Sequence, residues 1–164
     1  MFESESELDD LIQLLKYCLD FAKDMLTRYG EFHPFGAQIK KDGEFTCVGV
    51  DLGPENGSSR HDYLAMADVF RENFVLGEIR SAAMAADVLL PEYLRGIYKE
   101  GIRIHVDFGD FAKFYYIPYS LKRPLFWRIL ARKKYKVKLG KYTDLEVKPL
   151  VESGTENWDD KTEW

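Results

Sequence analysis

Apolar residues recur at helical spacing over residues 4–29: Leu8, Leu11, Ile12, Leu15, Leu19, Ala22, Leu26 and Tyr29. Leu14, Cys18, Phe21 and Met25 widen that stripe. The pattern predicts a helix buried on more than one side, with Leu15 and Leu19 mid-stripe. Ser4 and Glu7 have the spacing of a capping box, and Gly30 stands where a left-handed cap prefers glycine. Phe35–Lys40 and Glu44–Asp51 read as strands joined by Lys41-Asp42-Gly43, a strong hairpin signal. After the loop Gly53–Ser59, with Ser59 as its cap, a second helix is predicted over 60–76. Tyr63, Met66, Ala67, Phe70, Phe74 and Val75 form its inner stripe.

Ile79–Leu90 is apolar on both faces and reads as a central strand, where Ala82, Ala83, Ala85 and Ala86 let a helix pack closely. The same alanines would also suit a helix. Pro91 and Glu92 open a loop reaching about Gly101. Ile102, Ile104, Val106 and Phe108 then alternate with Arg103, His105 and Asp107, the period of a half-buried strand. The return strand, Ala112–Pro118, admits two registers. A two-residue loop at Gly109-Asp110 pairs Phe108 with Phe111 and puts Lys113 on the apolar face. A three-residue loop pairs Phe108 with Ala112, turns Phe114 and Tyr116 inward and sets Lys113 opposite Asp107. A slip of one residue exchanges the faces, and polarity favours the second register.

Pro124–Lys134 reads as a short amphipathic helix, and Tyr135, Val137 and Leu139 alternate with Lys134, Lys136 and Lys138. A turn at Gly140-Lys141 leads to Leu145-Glu146-Val147, giving a C-terminal hairpin. The order is helix, hairpin, helix, meander, with a basic appendix. This predicts one α+β domain over 1–151, helices against an antiparallel sheet, and an acidic, disordered tail over 152–164. Profilin-like and roadblock-like topologies share that element order, which does not fix function.

Charge changes the picture more than composition does. The chain has 164 residues, 46% hydrophobic and 15% aromatic, enough for a real core. Between Phe111 and Thr143 there is no acidic residue but ten basic ones, so this window carries +10 in a protein of net charge −5. The remainder carries −15, the difference between those two figures. Segregated charge sets what a protein attracts and how it orients on approach. Cys18 and Cys47 fit neither a disulfide framework nor a zinc site and read as small buried hydrophobes. The start, Met-Phe-Glu-Ser-Glu-Ser-Glu, lacks an export segment, and no apolar run nears the ~20 residues that span a bilayer. The expectation is a cytoplasmic protein, for which Asn56-Gly57-Ser58 is only a turn.

Three places are candidates for function. His105 and Asp107 share a face of one strand, as a general base and its carboxylate or half a metal site would. The alternative is a cross-strand polar patch with Lys113 and Tyr115. Gly30–Ala37 is either a binding loop or a structural turn with Phe32 and Phe35 plugging the core around Pro34. The basic appendix, with Trp127, Arg128, Arg132, Lys133, Lys134 and Lys136 as its contact residues, admits several readings. It suits an acidic protein partner, a nucleic acid stacked on interleaved aromatics, an anionic membrane, or a solvated face guarding an edge strand. No nucleophile elbow and no phosphate or dinucleotide loop is present, so no cofactor is expected.

Several segments taken together carry a further signal: Gly30-Glu31-Phe32-His33-Pro34-Phe35-Gly36-Ala37, Asp42-Gly43-Glu44, Ile79-Arg80-Ser81-Ala82-Ala83, His105-x-Asp107 and Pro118-Tyr119. This pattern, over roughly residues 7–120, resembles a family of small bacterial proteins of unassigned function. The resemblance implies a non-enzymatic partner protein, as an immunity protein against a bacterial toxin would be. It does not reach the basic region. The reading is a cytoplasmic protein-binding module with a protein partner of acidic surface. The alternatives are a nucleic-acid or anionic-membrane surface binder using 122–141, and a small hydrolase or metal enzyme using His105.

Overall fold

The computed structural model describes residues 4–49, 59–123 and 135–153. Helix α1 spans Glu5–Tyr29. The Glu7 N–H donates to Ser4 Oγ at 3.2 Å and the Ser4 N–H to the Glu7 carboxylate at 3.3 Å, completing the capping box. Gly30, at φ 79°, closes the other end with its N–H on the Leu26 carbonyl. The buried line of α1 is Asp10, Leu11, Leu14, Cys18, Ala22 and Leu26. It is rotated from the expected one: Leu15 and Leu19 are half-buried, while Leu8, Ile12 and Tyr29 are exposed. A stripe this wide has two possible centres. The side bearing Cys18 and Ala22 faces the sheet, where small residues allow close approach to Ala83 and Ala85.

Strands β1 (Phe35–Lys40) and β2 (Phe45–Gly49) form the expected hairpin. Helix α2 spans Ser59–Val75, so Ser59 is its first residue rather than a cap before it. Val75, expected on the inner stripe, is exposed. Next come β3 (Ile79–Leu89), a 3₁₀ turn at Glu92–Leu94, β4 (Glu100–Asp107) and β5 (Ala112–Lys122). Strands β6 (Lys136–Leu139) and β7 (Thr143–Val147) and a short α3 (Leu150–Ser153) complete the described residues. The sheet order is β2-β1-β3-β4-β5-β6, with β7 also on β5, and every pairing is antiparallel. The fold is α+β, and β3 is the central strand that its apolar run predicted.

The helices lie on opposite faces of the sheet. Ala83, Ala85, Ile102, Ile104, Val106 and Ile117 pack with α1. Ala82, Met84, Ala86, Val88 and Tyr116 pack with α2, along with Leu150. Strand β4 is therefore buried on both faces, not half-buried, and Arg103, His105 and Asp107 lie under the α2 layer.

That burial overturns the expected register. Asp107 pairs with Ala112, Val106 with Lys113, His105 with Phe114 and Arg103 with Tyr116. The Phe108 N–H reaches the Phe111 carbonyl at 3.0 Å across a two-residue turn. Gly109, at φ 88°, holds the first central position, where a II′ turn requires a positive φ. Lys113 sits beside Val106 but at the strand's end, and reaches Asp144 of β7 at 3.0 Å. The polarity argument failed because it took one face of β4 as solvent.

The C-terminal hairpin is also corrected. β6 and β7 do not pair with each other. Tyr119 faces Leu139 and Leu121 faces Val137, while Tyr116 faces Thr143 and Ala112 faces Val147. The two strands thus run in one direction along the same edge of β5, with a one-residue slip between them. Gly140 donates its N–H to the Pro118 carbonyl at 2.7 Å and carries the ladder on where a reversal was expected. Strand β5, with 11 residues, is long enough to hold both. Cys18 is buried as expected, but Cys47 is exposed, because β2 is the outer strand.

Leu14 is wholly buried at the centre of the α1 layer, and Ile12 is 55% exposed two residues away. Leu14→Ala is expected to cost about 2–5 kcal/mol in denaturant unfolding, and Ile12→Ala no more than about 0.5 kcal/mol. Equal losses would show that the helix is oriented otherwise.

Candidate functional site

Of the six residues proposed for partner contact, Lys136 lies in the described structure. Trp127, Arg128, Arg132, Lys133 and Lys134, with the helix expected over Pro124–Lys134, lie outside the described residues. Lys136 opens β6 directly opposite Lys122, and Lys138 follows opposite Ser120. Leu121, Val137 and Leu139 turn toward the α1 core, so Lys122, Lys136 and Lys138 share the other face of the strand pair, exposed. Among the described residues none of the three forms an ion pair with a carboxylate. Like charges placed directly opposite each other on neighbouring strands are unfavourable. The loop before β4 meets the end of β6, where the Tyr98 ring lies against Gly140; in the same loop Tyr93 and Ile97 are 73% and 89% exposed.

His105 and Asp107 do share a face, as their spacing predicted, but both are 1% exposed, as is Arg103. His105 packs edge-on to Phe114 at 5.3 Å, in place of the expected Tyr115. Its Nε2 is 3.8 Å from the Asp107 carboxylate, too far for a hydrogen bond. Burial and then the Arg103 charge push the His105 pKa well below its ordinary 6.5, so the ring is neutral. Asp107 accepts the N–H of Gly109 at 2.6 Å and of Leu150 at 2.7 Å, and does not meet Lys113. Burial pushes its carboxyl up to about 6, against the pull of those two donors. Arg103 lies 4.9 Å from the ring centroids of both Tyr63 and Phe114. The whole row is buried beneath the α2 layer.

The Gly30–Ala37 segment serves two ends. Phe32, Pro34 and Phe35 are buried, with the two rings edge-on at 5.7 Å, which is the structural reading. Glu31 and His33 between them are exposed, and they line a cavity of about 350 Å³ with Phe32, Ser59, Asp87, Val88, Leu89 and Glu100. Behind the lining, the buried Tyr119 donates its hydroxyl to Asp87 at 2.6 Å. Burial pushes the Asp87 carboxyl up to about 6, a shift partly opposed by that hydrogen bond and reinforced by Glu100. Burial likewise raises the Tyr119 hydroxyl, as does its bond to Asp87. The recess is lined by the carboxylates of Glu31, Asp87 and Glu100 and by Ser59. Sequence reasoning missed Asp87, although an acidic residue inside an otherwise apolar strand was a signal.

No family model, curated protein or solved structure matches the chain. Among the described residues no group of three or more His, Cys, Asp or Glu could hold a metal ion.

The two titrating groups of the sealed row act in opposite senses. As pH falls through about 6, the folded state protonates Asp107 while the unfolded chain waits until near 3.8, so this group adds stability. Near 6.5 the unfolded chain protonates His105 and the folded state does not, so stability is lost as pH falls. The two effects offset each other in the wild type. Between about pH 7 and pH 5, Asp107→Asn should therefore lose stability relative to the wild type and His105→Leu should gain it. Parallel pH profiles for all three proteins in denaturant unfolding would contradict the assignment.

Proposed function

We propose that this chain is a non-enzymatic protein-binding module that docks an acidic partner surface through its basic rim. The observation that carries the reading is the row Lys122, Lys136 and Lys138, like charges gathered on one face with no carboxylate paired to them among the described residues. An acidic surface laid on that row would relieve their mutual repulsion. The loop whose Tyr98 meets Gly140 at the end of β6 also carries exposed Tyr93 and Ile97, apolar area of the kind a protein interface buries. The sealing of His105 and Asp107 supports the non-enzymatic half of the proposal. The narrower form is a cytoplasmic, toxin-neutralising protein, and it rests on the sequence resemblance alone. Among the described residues no helix is long and apolar enough to cross a membrane.

The test uses the partner recovered from the native host and its association measured by surface plasmon resonance at rising salt. Contact steered by the lysine row should associate more slowly as the Debye length falls below ~10 Å. The pair Lys136→Glu and Lys138→Glu should cut the on-rate by roughly tenfold at low salt. An on-rate that ignores both salt and charge reversal would reduce the row to edge protection. Retention on heparin at physiological salt, with no protein partner recovered, would move the function to nucleic acid or anionic membrane.

A further inference from the structure

The two edges of the sheet are built differently. The β6–β7 edge carries Lys136 and Lys138, the kind of charge that discourages strand addition. The opposite edge, β2, reads Phe45-Thr46-Cys47-Val48-Gly49, with no charged residue and no proline. Among the described residues, β2 pairs only with β1. The side turned away from β1 can be located by parity. The Lys40 N–H donates to the Glu44 carbonyl, so the hydrogen-bonded partners step by two to Gln38 with Thr46 and Gly36 with Val48. Phe45, Cys47 and Gly49 therefore direct their N–H and C=O groups away from β1.

We infer that β2 pairs with the β2 strand of a second copy of this chain, antiparallel and centred on Cys47. The strand is uncharged, so it meets its own copy without repulsion, and its outward groups are symmetric about Cys47. Phe45 and Cys47 lie on the α1 face, where Tyr17 and Phe21 extend the aromatic cluster and Phe21 stays 39% exposed. A two-fold through Cys47 brings that cluster of one copy beside that of the other. The strand is only 5 residues long, so the pairing is weak and concentration-dependent. This inference is independent of the lysine row on the far edge.

In such a pair the two Cys47 residues face each other as a hydrogen-bonded pair, with Cα atoms about 5.5 Å apart, inside the range a disulfide spans. Sedimentation velocity of the full chain under reducing conditions is the test. The wild type and Cys47→Ser should shift from monomer toward dimer as concentration rises. Cys47→Pro removes the outward N–H and should stay monomeric. Cys47→Arg sets like charges opposite each other across the two-fold and should also stay monomeric, which keeps the test open should the proline variant not fold. Mild copper-catalysed air oxidation, in which two thiols lose two protons and two electrons to oxygen, should yield a covalent dimer. It should form from the wild type and from Cys18→Ser, but not from Cys47→Ser. A wild type that remains monomeric at its highest soluble concentration overturns the inference. So does a dimer that Cys47→Arg leaves intact, or one that oxidation does not link through Cys47.

Discussion

A guanidinium buried to 1% exposure is the constraint around which this fold is arranged. Removing a charge of that size from water costs several kcal/mol unless the surroundings answer it. Here the answer is aromatic: Tyr63 from α2 and Phe114 from β5, both at 4.9 Å from Arg103. Burial pushes the Tyr63 hydroxyl up to about 12, even with the Arg103 charge pulling against that rise. Each ring comes from a different element, so the charge ties α2 and β5 to β4. A register one residue away would set Lys113, Tyr115 and Ile117 on this face, opposite Asp107, His105 and Arg103, and turn Phe114 away from the guanidinium. The observed register brings Phe114 and Tyr116 instead. Asp107, at the end of the same row, accepts one N–H from the turn and one from α3, and so fixes both.

The other face is held by different means. Ala83 and Ala85 on β3 share one buried layer with Cys18 and Ala22 on α1, small residues that let helix and sheet pack closely. At one end the layer is clamped by charge. The ladder shifts between Ile39 and Lys40, leaving Arg80 out of the pairing with β1. Arg80 and Ser81 can then both reach the buried Asp10 carboxylate, at 2.7 and 2.8 Å from the guanidinium and 3.0 Å from the hydroxyl. Breaking one side of such a pair would strand a buried charge, which makes it a specific tether for the start of α1.

Periodicity made most of the elements legible. The capping box at Ser4, the Asp42-Gly43 turn and the double-sided apolar run of β3 each have a local cause, and each stands in the structure. What periodicity could not supply was which polar face is wet. Arg103, His105 and Asp107 alternate with apolar residues as a solvent-facing row would, and only the arrival of α2 over them reverses the meaning. The register of β5, the direction of β7 and the exposure of Cys47 depend in the same way on neighbours distant in sequence. The bond from Tyr119 to Asp87 joins residues 32 positions apart, and no motif spacing links them. The concentration of positive charge was plain from the sequence. Its gathering onto one face by Lys122 and Lys136 was not, because that follows from β6 pairing with β5.

The claim that aromatic enclosure of Arg103 organises the α2 side is tested most directly by a double-mutant cycle. Arg103→Met and Phe114→Leu, alone and together, would be compared by denaturant unfolding. If the charge is held by the ring, the pair should couple by about 1–2 kcal/mol, the double variant being milder than the sum of the single ones. Strict additivity, with both single variants folded, would contradict the account.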